Sequence, residues 1–387
     1  MMEYDFDLIV PRRGTNSYKW DTPEEAGVLP MWVADMDFST APAVIRAVEK
    51  RAAHGIYGYT KVPDTYYEAV VNWFADRHGW RIRPTWMIYT SGVVPAVSAI
   101  IQALTEPGDR VIVQTPAYNC FYSSIRNSRC ELSANNLLYR EGRYSVDFDD
   151  LETKAADPKT KLLLLCNPHN PSGRVWTPTE LRRIGEICLH HGVLVVSDEI
   201  HCELTYEGHD YTPFATLSEE FLRRSVTCVS PSKAFNLAGL QIANIVAADE
   251  DVHRRIDRAI NMNEVCDVNP FGVEATIAAY NESAKWLDAL RAYLWGNFCY
   301  LQAYLARDLP QLGIVPLEGT YLAWIDCRAL GVGSERITQR LLDEGRLMVN
   351  AGTLYGPGGE GFIRLNFACP RTMLTEGLER LVSILKS

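Results

Sequence analysis

Ser225-Val226-Thr227-Cys228-Val229 runs directly into Ser230-Pro231-Ser232-Lys233-Ala234-Phe235-Asn236. The first five residues are short, apolar and partly β-branched, which reads as a strand. Ser230-Pro231 ends it, because proline cannot donate to a central ladder. One lysine follows at once. An ammonium at the end of a buried strand is costly to desolvate, so burial favours the neutral amine. The neutral amine is the form that attacks carbonyl carbon and builds Schiff bases. A loop lysine reaching for solvent has the same local sequence, so the meaning of Lys233 depends on what the other strands end on.

Working outward, residues from 86 onward repeat strand, turn and helix. Trp86 to Thr90 is a short apolar run broken at Ser91-Gly92, and Val94 to Leu104 has helical spacing. Glu106-Pro107-Gly108-Asp109 turns into a strand from Arg110 to Gln114. Lys161 to Cys166 is almost continuously apolar, as in a strand covered on both faces. Thr177-Pro178-Thr179-Glu180 has the capping-box pattern with proline at the first helical position, and Leu181, Ile184 and Ile187 give that helix its buried stripe. Gly192 ends the helix. Val193 to Val196 is the next strand, and Ile242 to Ala247 follows the 225–229 strand. Such alternation predicts an α/β fold, a mostly parallel sheet with helices on both faces. Residues 1 to about 44 read as irregular, with Pro11, Pro23, Pro30 and Pro42, before helical spacing begins. Asp35 and Asp37 in that segment suggest capping or turn roles, with metal ligation as the alternative. After about residue 250 helices dominate, including a long one from Ala284 to about Leu309. Strands Tyr321 to Asp326 and Gly361 to Phe367 and a helix Ser334 to Glu344 complete the chain. The expected organisation is a large domain over 45–287 and a smaller α+β domain from 1–44 and 288–387.

Composition narrows the class. The chain has 387 residues and is 47% hydrophobic, enough for a large core. Its formal net charge of -10 argues against a nucleic-acid partner, which needs clustered Lys and Arg. The ten cysteines include no Cys-x-x-Cys pair, so zinc-type spacing is absent and no metal is expected. Cysteines in apolar runs, such as Cys166, Cys188 and Cys228, behave as small hydrophobes and suit a reducing cytoplasm better than a disulfide framework. Met1-Met2-Glu3-Tyr4-Asp5 lacks the basic and apolar regions of a signal peptide. No run approaches the roughly 18 apolar residues of a membrane helix, so no membrane partner is expected.

In an open parallel sheet ligands bind beyond the carboxyl ends of the strands. The first strand ends on Ser91-Gly92-Val93-Val94 and opens a helix, whose free amides and dipole suit a phosphate. The second leads to Tyr118, either a ring over the crevice or a core tyrosine. The third ends on Asn167-Pro168-His169-Asn170-Pro171-Ser172-Gly173, where two X-Pro steps are expected to keep the chain extended and present Asn170. The fourth ends on Ser197-Asp198-Glu199-Ile200-His201, an acid one serine beyond four apolar residues. Such an acid costs several kcal/mol of desolvation unless a cation or donors meet it. The fifth delivers Ser230 and Lys233. A phosphate nest, an aromatic face, an amide, a buried acid and an amine suit one ligand, pyridoxal 5'-phosphate: the acid would keep the pyridine nitrogen protonated so that the ring accepts electrons.

The motifs Asn167-Pro168-His169-Asn170-Pro171-Ser172-Gly173, Asp198-Glu199-Ile200-His201 and Ser230-Pro231-Ser232-Lys233 resemble those of fold-type I pyridoxal phosphate enzymes of the class I/II aminotransferase superfamily. Ser17-Tyr18-Lys19-Trp20-Asp21, Met31 through Phe38, Tyr57-Gly58-Tyr59, Pro116-Ala117-Tyr118, Thr320 through Trp324 and Phe362 through Asn366 narrow the resemblance to the MalY/PatB subgroup, the cystathionine β-lyase and cystalysin-like C-S lyases. The likeness runs from about residue 8 to the end. It implies a seven-stranded, mostly parallel sheet sandwiched by helices. It implies that Lys233 is the Schiff-base lysine and proton shuttle and that Asp198 pairs with the pyridine nitrogen. Asn170 would bind the phenolate oxygen, Tyr118 would stack on the ring, and His201 would lie beside the cofactor. Gly92, Val93 and Ser230 would hold the phosphate, and Tyr59 would reach it from the partner subunit of a homodimer. Arg364, with Asn170, would bind the substrate α-carboxylate; an exposed strand arginine is the plain alternative. Two positions depart from the wider aminotransferase pattern. His201 stands where tyrosine is usual, and Gln241 stands where a phosphate-binding arginine is frequent.

The subgroup resemblance implies a C-S β-lyase acting on cystathionine, cysteine or related S-substituted cysteines, in the cytoplasm. An aminotransferase shares the same anchor residues. A non-catalytic regulatory or interaction protein on the same fold is the rival of another class, and intact Lys233 and Asp198 argue against it.

Overall fold

A computed structural model describes residues 4–23, 25–262, 264 and 267–386. The central sheet has seven strands: β1 (Met87–Thr90), β2 (Arg110–Thr115), β3 (Glu131–Asn136), β4 (Thr160–Cys166), β5 (Leu194–Asp198), β6 (Ser225–Val229) and β7 (Ala243–Ala247). Their order is β1-β7-β6-β5-β4-β2-β3, and only β7 runs antiparallel to its neighbours. Alternate residues of β4 serve opposite faces. Leu162, Leu164 and Cys166 pack with α3 (Val93–Leu104), which follows α1 (Pro42–Ala53) and α2 (Asp64–His78), while Leu163 and Leu165 pack with Leu181 and Ile184 of α4 (Pro178–His190). Fully burying each such leucine stabilises the fold by about 1.5–3 kcal/mol. The predicted capping box of α4 forms: Thr177 Oγ1 accepts from the Glu180 amide at 3.2 Å and Glu180 Oε2 accepts from the Thr177 amide at 2.9 Å.

Register aligns the functional ends. Cys166 lies opposite Asp198, and Asp198 opposite Cys228, so the loops after β4, β5 and β6 emerge side by side. Because β7 is antiparallel, its beginning meets the end of β1, with Ala243 opposite Thr90. Residues just before β7 therefore reach the same edge as the loops after the parallel strands.

The N-terminal segment is more ordered than its composition suggests. Tyr18–Asp21 is a short helix capped by Ser17, and Leu29–Pro30 pairs in parallel with Leu347–Met348. A long helix, Ala284–Asp308, is continuous through the expected domain boundary at 287/288. A second sheet of four antiparallel strands follows: Gly313–Ile314, Leu322–Asp326, Phe362–Asn366 and Asn350–Ala351, in that order. Among the described residues no helix is long and apolar enough to cross a membrane.

Candidate active site

Lys233, Asp198, Asn170, Tyr118, His201, Gly92 and Val93 line one cavity of about 210 Å³ at the carboxyl edge of the sheet. Lys233 Nζ donates to the Ala34 carbonyl at 2.6 Å. Burial, and then the charge of Arg364, pull its amine down to about 8, against the opposing pull of Asp35 and Asp198. Asp198 is 5% exposed, and burial pushes its carboxyl up to about 6, opposed by the Ile200 amide at 3.1 Å and by Lys233. Two groups of opposite charge preference thus face one cavity, each destabilised as an ion by its surroundings. His201 is held well below its ordinary range by burial, then by Lys233 and Arg364, so it is a neutral imidazole. Its Nδ1 is buried and makes no hydrogen bond. Burial raises the Tyr118 phenol, which stays protonated and able to donate.

At one end of the cavity the helix α3 begins. The Val93 and Val94 amides precede its first backbone bond, from Ala96 N–H to the Gly92 carbonyl, and no side chain caps it. Ser91, Ser232 and Gln241 line the cavity as well. Gln241 adopts a left-handed conformation, φ 50°, in the turn that enters β7.

Arg364, beside Asn170, is 3% exposed. Its Nη1 donates to Asn170 Oδ1 at 3.1 Å, its Nη2 to the Trp32 carbonyl at 2.8 Å, and its guanidinium lies 4.8 Å from the centre of the Tyr355 ring. Since the Asn170 oxygen is occupied, that amide offers its N–H groups as donors. Arg364 Nε makes no hydrogen bond.

Three expected residues do not line the cavity: Ser230, Tyr59 and Arg364, the last of which touches it through Asn170. Ser230 turns its hydroxyl to the Ile242 carbonyl, 2.6 Å away, and accepts from the Ser232 amide at 3.1 Å. The serine that lines the cavity is Ser232, two residues later, whose hydroxyl lies 2.9 Å from that of Ser230. Tyr59 is 97% exposed on the loop between helices Pro42–Ala53 and Asp64–His78, beside exposed Ile56 and Tyr57. Sequence reasoning also passed over Ser91, Ala34 and the lining role of Gln241. For Gln241 the antiparallel direction of β7 was the missing information.

Asp35 and Asp37 are neither simple caps nor a metal cage. Asp37 accepts from Lys19 Nζ at 2.6 Å, Arg12 Nη1 at 2.7 Å and Trp20 Nε1 at 2.8 Å, and Asp35 takes Arg12 in a forked pair at 2.6 and 3.2 Å. The network fastens residues 12–20 onto the strap Trp32–Phe38, whose Ala34 borders the cavity. The two X-Pro bonds of this turn, Asn167-Pro168 and Asn170-Pro171, are both cis. Behind the acid-bearing loop, His78, Cys202 and Glu203 bring three metal-ligand types within 4.8 Å of one another. There Glu203 Oε1 already accepts from Trp73 Nε1 at 2.6 Å and His78 Nε2 at 2.7 Å, with Arg77 3.4 Å from Oε2, a closed ion-pair network.

Residues 27–381 match the family model for aminotransferase class I and II. The cystathionine β-lyase PatB of Bacillus subtilis (strain 168) is 45% identical over 98% of this chain and 100% of its own length. The protein MalY of Escherichia coli (strain K12) is 32% identical over 99% of each chain. Cystalysin from Treponema denticola, whose crystal structure contains a pyridoxal 5'-phosphate cofactor, superposes with a TM-score of 0.97 at 36% identity, covering 100% of this chain and 99% of its own.

Proposed function

The chain belongs to the class I and II aminotransferase family, and from that premise we propose that it is a pyridoxal-phosphate-dependent carbon–sulfur β-lyase. It cleaves the Cβ–S bond of cystathionine, cysteine or related S-substituted cysteines and releases a thiol, pyruvate and ammonia. A depressed amine, Lys233, and a raised carboxyl, Asp198, facing one cavity carry the cofactor reading, and the 45% identity to the cystathionine β-lyase PatB over nearly the whole chain favours the lyase over the aminotransferase. The orphaned His201 Nδ1 and the uncapped start of α3 are polar groups in want of a partner, and pyridoxal phosphate fits them.

When bound, the cofactor supplies an aldehyde for covalent attachment and an electron-accepting pyridinium ring. Lys233 attaches it and, once free, moves the proton at the substrate Cα; its low pKa makes the neutral amine accessible near neutral pH. Asp198 would meet the ring nitrogen and hold a proton there. Asn170 would donate to the phenolate oxygen, and His201 and the neutral phenol of Tyr118 would bound the ring. The Gly92–Val94 amides, Ser232 and Gln241 bind the phosphate. Arg364 holds the substrate α-carboxylate, with Asn170 as its fixed neighbour.

We assign residues 45–287 to the cofactor-holding domain and 1–44 with 288–387 to the smaller one. We also infer a homodimer in which the exposed Tyr59 reaches the partner's phosphate site. A cytoplasmic setting accords with nine free cysteines among the described residues. The deciding experiment supplies cystathionine or cysteine with no amino acceptor. Steady pyruvate release is expected; a strict requirement for a 2-oxo acid would make the protein an aminotransferase instead.

A further inference from the structure

The strap carbonyls are engaged one by one. Trp32 O accepts from Arg364 and Asn350, Val33 O and Asp35 O from Asn366 Nδ2 at 2.6 Å each, and Met36 O from Asn236 Nδ2 at 2.9 Å. Ala34 O is different, because its two donors are Lys233 Nζ at 2.6 Å and the Tyr321 hydroxyl at 2.9 Å. Tyr321 is fully buried. The residue before it, Thr320, has φ 72°, a left-handed conformation that strains a β-branched side chain. Three bonds hold it there. Its amide donates to the Leu204 carbonyl at 2.7 Å, its carbonyl accepts from the Tyr206 hydroxyl at 2.6 Å, and its own hydroxyl accepts from the Leu322 amide at 3.2 Å. Leu204 and Tyr206 lie on the segment that begins at Asp198. The loop that carries the buried acid therefore also fixes the strained residue that aims Tyr321.

We propose that Tyr321 is a positioning residue for Lys233: its hydroxyl holds the Ala34 carbonyl in place and shares it, giving the unattached amine a defined but weakened acceptor. The inference rests on the reading of Lys233 as the attachment lysine. A carbonyl oxygen has two lone pairs, and donation from the phenol withdraws electron density that the amine would otherwise use. An ammonium gains more from a strong acceptor than an amine does, so a shared acceptor favours the neutral form. Arg364, Asp35, Asp198, His201 and Cys120 also face the amine, and loss of the Tyr321 hydroxyl alters none of them directly.

The test uses the full chain stripped of cofactor, with the rate of pyridoxal phosphate uptake followed by absorbance against pH. Tyr321→Phe keeps the ring packing and removes only the hydroxyl. Its uptake midpoint is expected to move upward by about half a unit to one unit, the size of one net hydrogen bond. In the loaded enzyme kcat is expected to fall about three- to tenfold, with KM within about twofold. A folded variant with an unmoved midpoint overturns the proposal. Should Tyr321→Phe fail to fold, Tyr206→Phe frees the Thr320 carbonyl and is read in the same assay: a smaller shift in the same direction supports the proposal, and no shift overturns it. A wild-type chain that takes up no borohydride-fixable cofactor at Lys233 refutes the parent reading, whereas a transaminase outcome leaves this test intact.

Discussion

One part of the cavity wall consists of strand ends: Asp198 closes β5, Asn170 follows β4, Lys233 follows β6, and the sheet ladder positions all three. Another part, the strap Trp32–Phe38, has almost no regular structure and is held by side chains reaching its carbonyls from Arg364, Asn366, Tyr321 and Asn236. Hydrogen bonds of the sheet set the first with little dependence on any single side chain. The second depends on several side chains that arrive from distant sequence. Substitutions on the sheet side should therefore change chemistry and spare stability, while substitutions in the strap's own ion pairs, away from Lys233, should do the reverse.

The largest expected effect is Lys233→Ala. Turnover should fall by about 10³-fold, in the range typical of a lost proton-transfer group, and no cofactor should be fixed by borohydride at that position. The melting temperature should hold or rise, since a buried amine is removed. Normal turnover in this variant would refute the assignment and erase the contrast.

Next in size is Asp37→Ala on the strap. Asp37 and Lys19 have side chains 2% and 1% exposed, so removing the carboxylate strands a buried ammonium. Breaking such a pair costs about 3–5 kcal/mol, and the lower end applies because Asp35 stays 3.4 Å from Lys19. Thermal melting should register the loss, while the variant still takes up cofactor on its intact strand ends. Unchanged melting would mean that the network does not hold the strap.

This contrast also sets how much could be read from sequence. β4, β5 and β6 are apolar runs with punctuated ends, so the strands and the residues Asn170, Asp198 and Lys233 that follow them were legible. β3, Glu131–Asn136, escaped notice because it is an edge strand with mostly polar or exposed residues, so no apolar run marks it. The choice between Ser230 and Ser232 escaped because both flank one proline, and only the folded turn decides which of the two reaches the cavity. The Arg12–Lys19–Asp35–Asp37 network escaped because its partners are separated by 16 to 25 residues in a segment with no periodicity. Tyr59 is a different case: its role depends on a second chain, and within one chain it faces solvent.

The smallest expected effect tests whether the strand-end side is complete by itself. Apart from Lys233, the cavity lining contains no cationic side chain, since His201 is neutral. A phosphate there would rely on the dipole and free amides of α3, equivalent to about half a positive charge, together with Ser232 and Gln241. Gln241 reaches this position because β7 runs against its neighbours. Gln241→Ala should weaken cofactor binding by about three- to tenfold, the worth of one net hydrogen bond of about 0.5–1.5 kcal/mol. Gln241→Arg should tighten it, because a cation is added to a site that has the dipole but no charge of its own; its left-handed backbone is no worse for arginine than for glutamine. Both are read by equilibrium titration of the stripped protein at fixed ionic strength. If Gln241→Ala binds as tightly as wild type while Gln241→Arg binds no better, the phosphate charge must be met by groups outside this chain's cavity lining, and the strand-end wall is only part of the cofactor site.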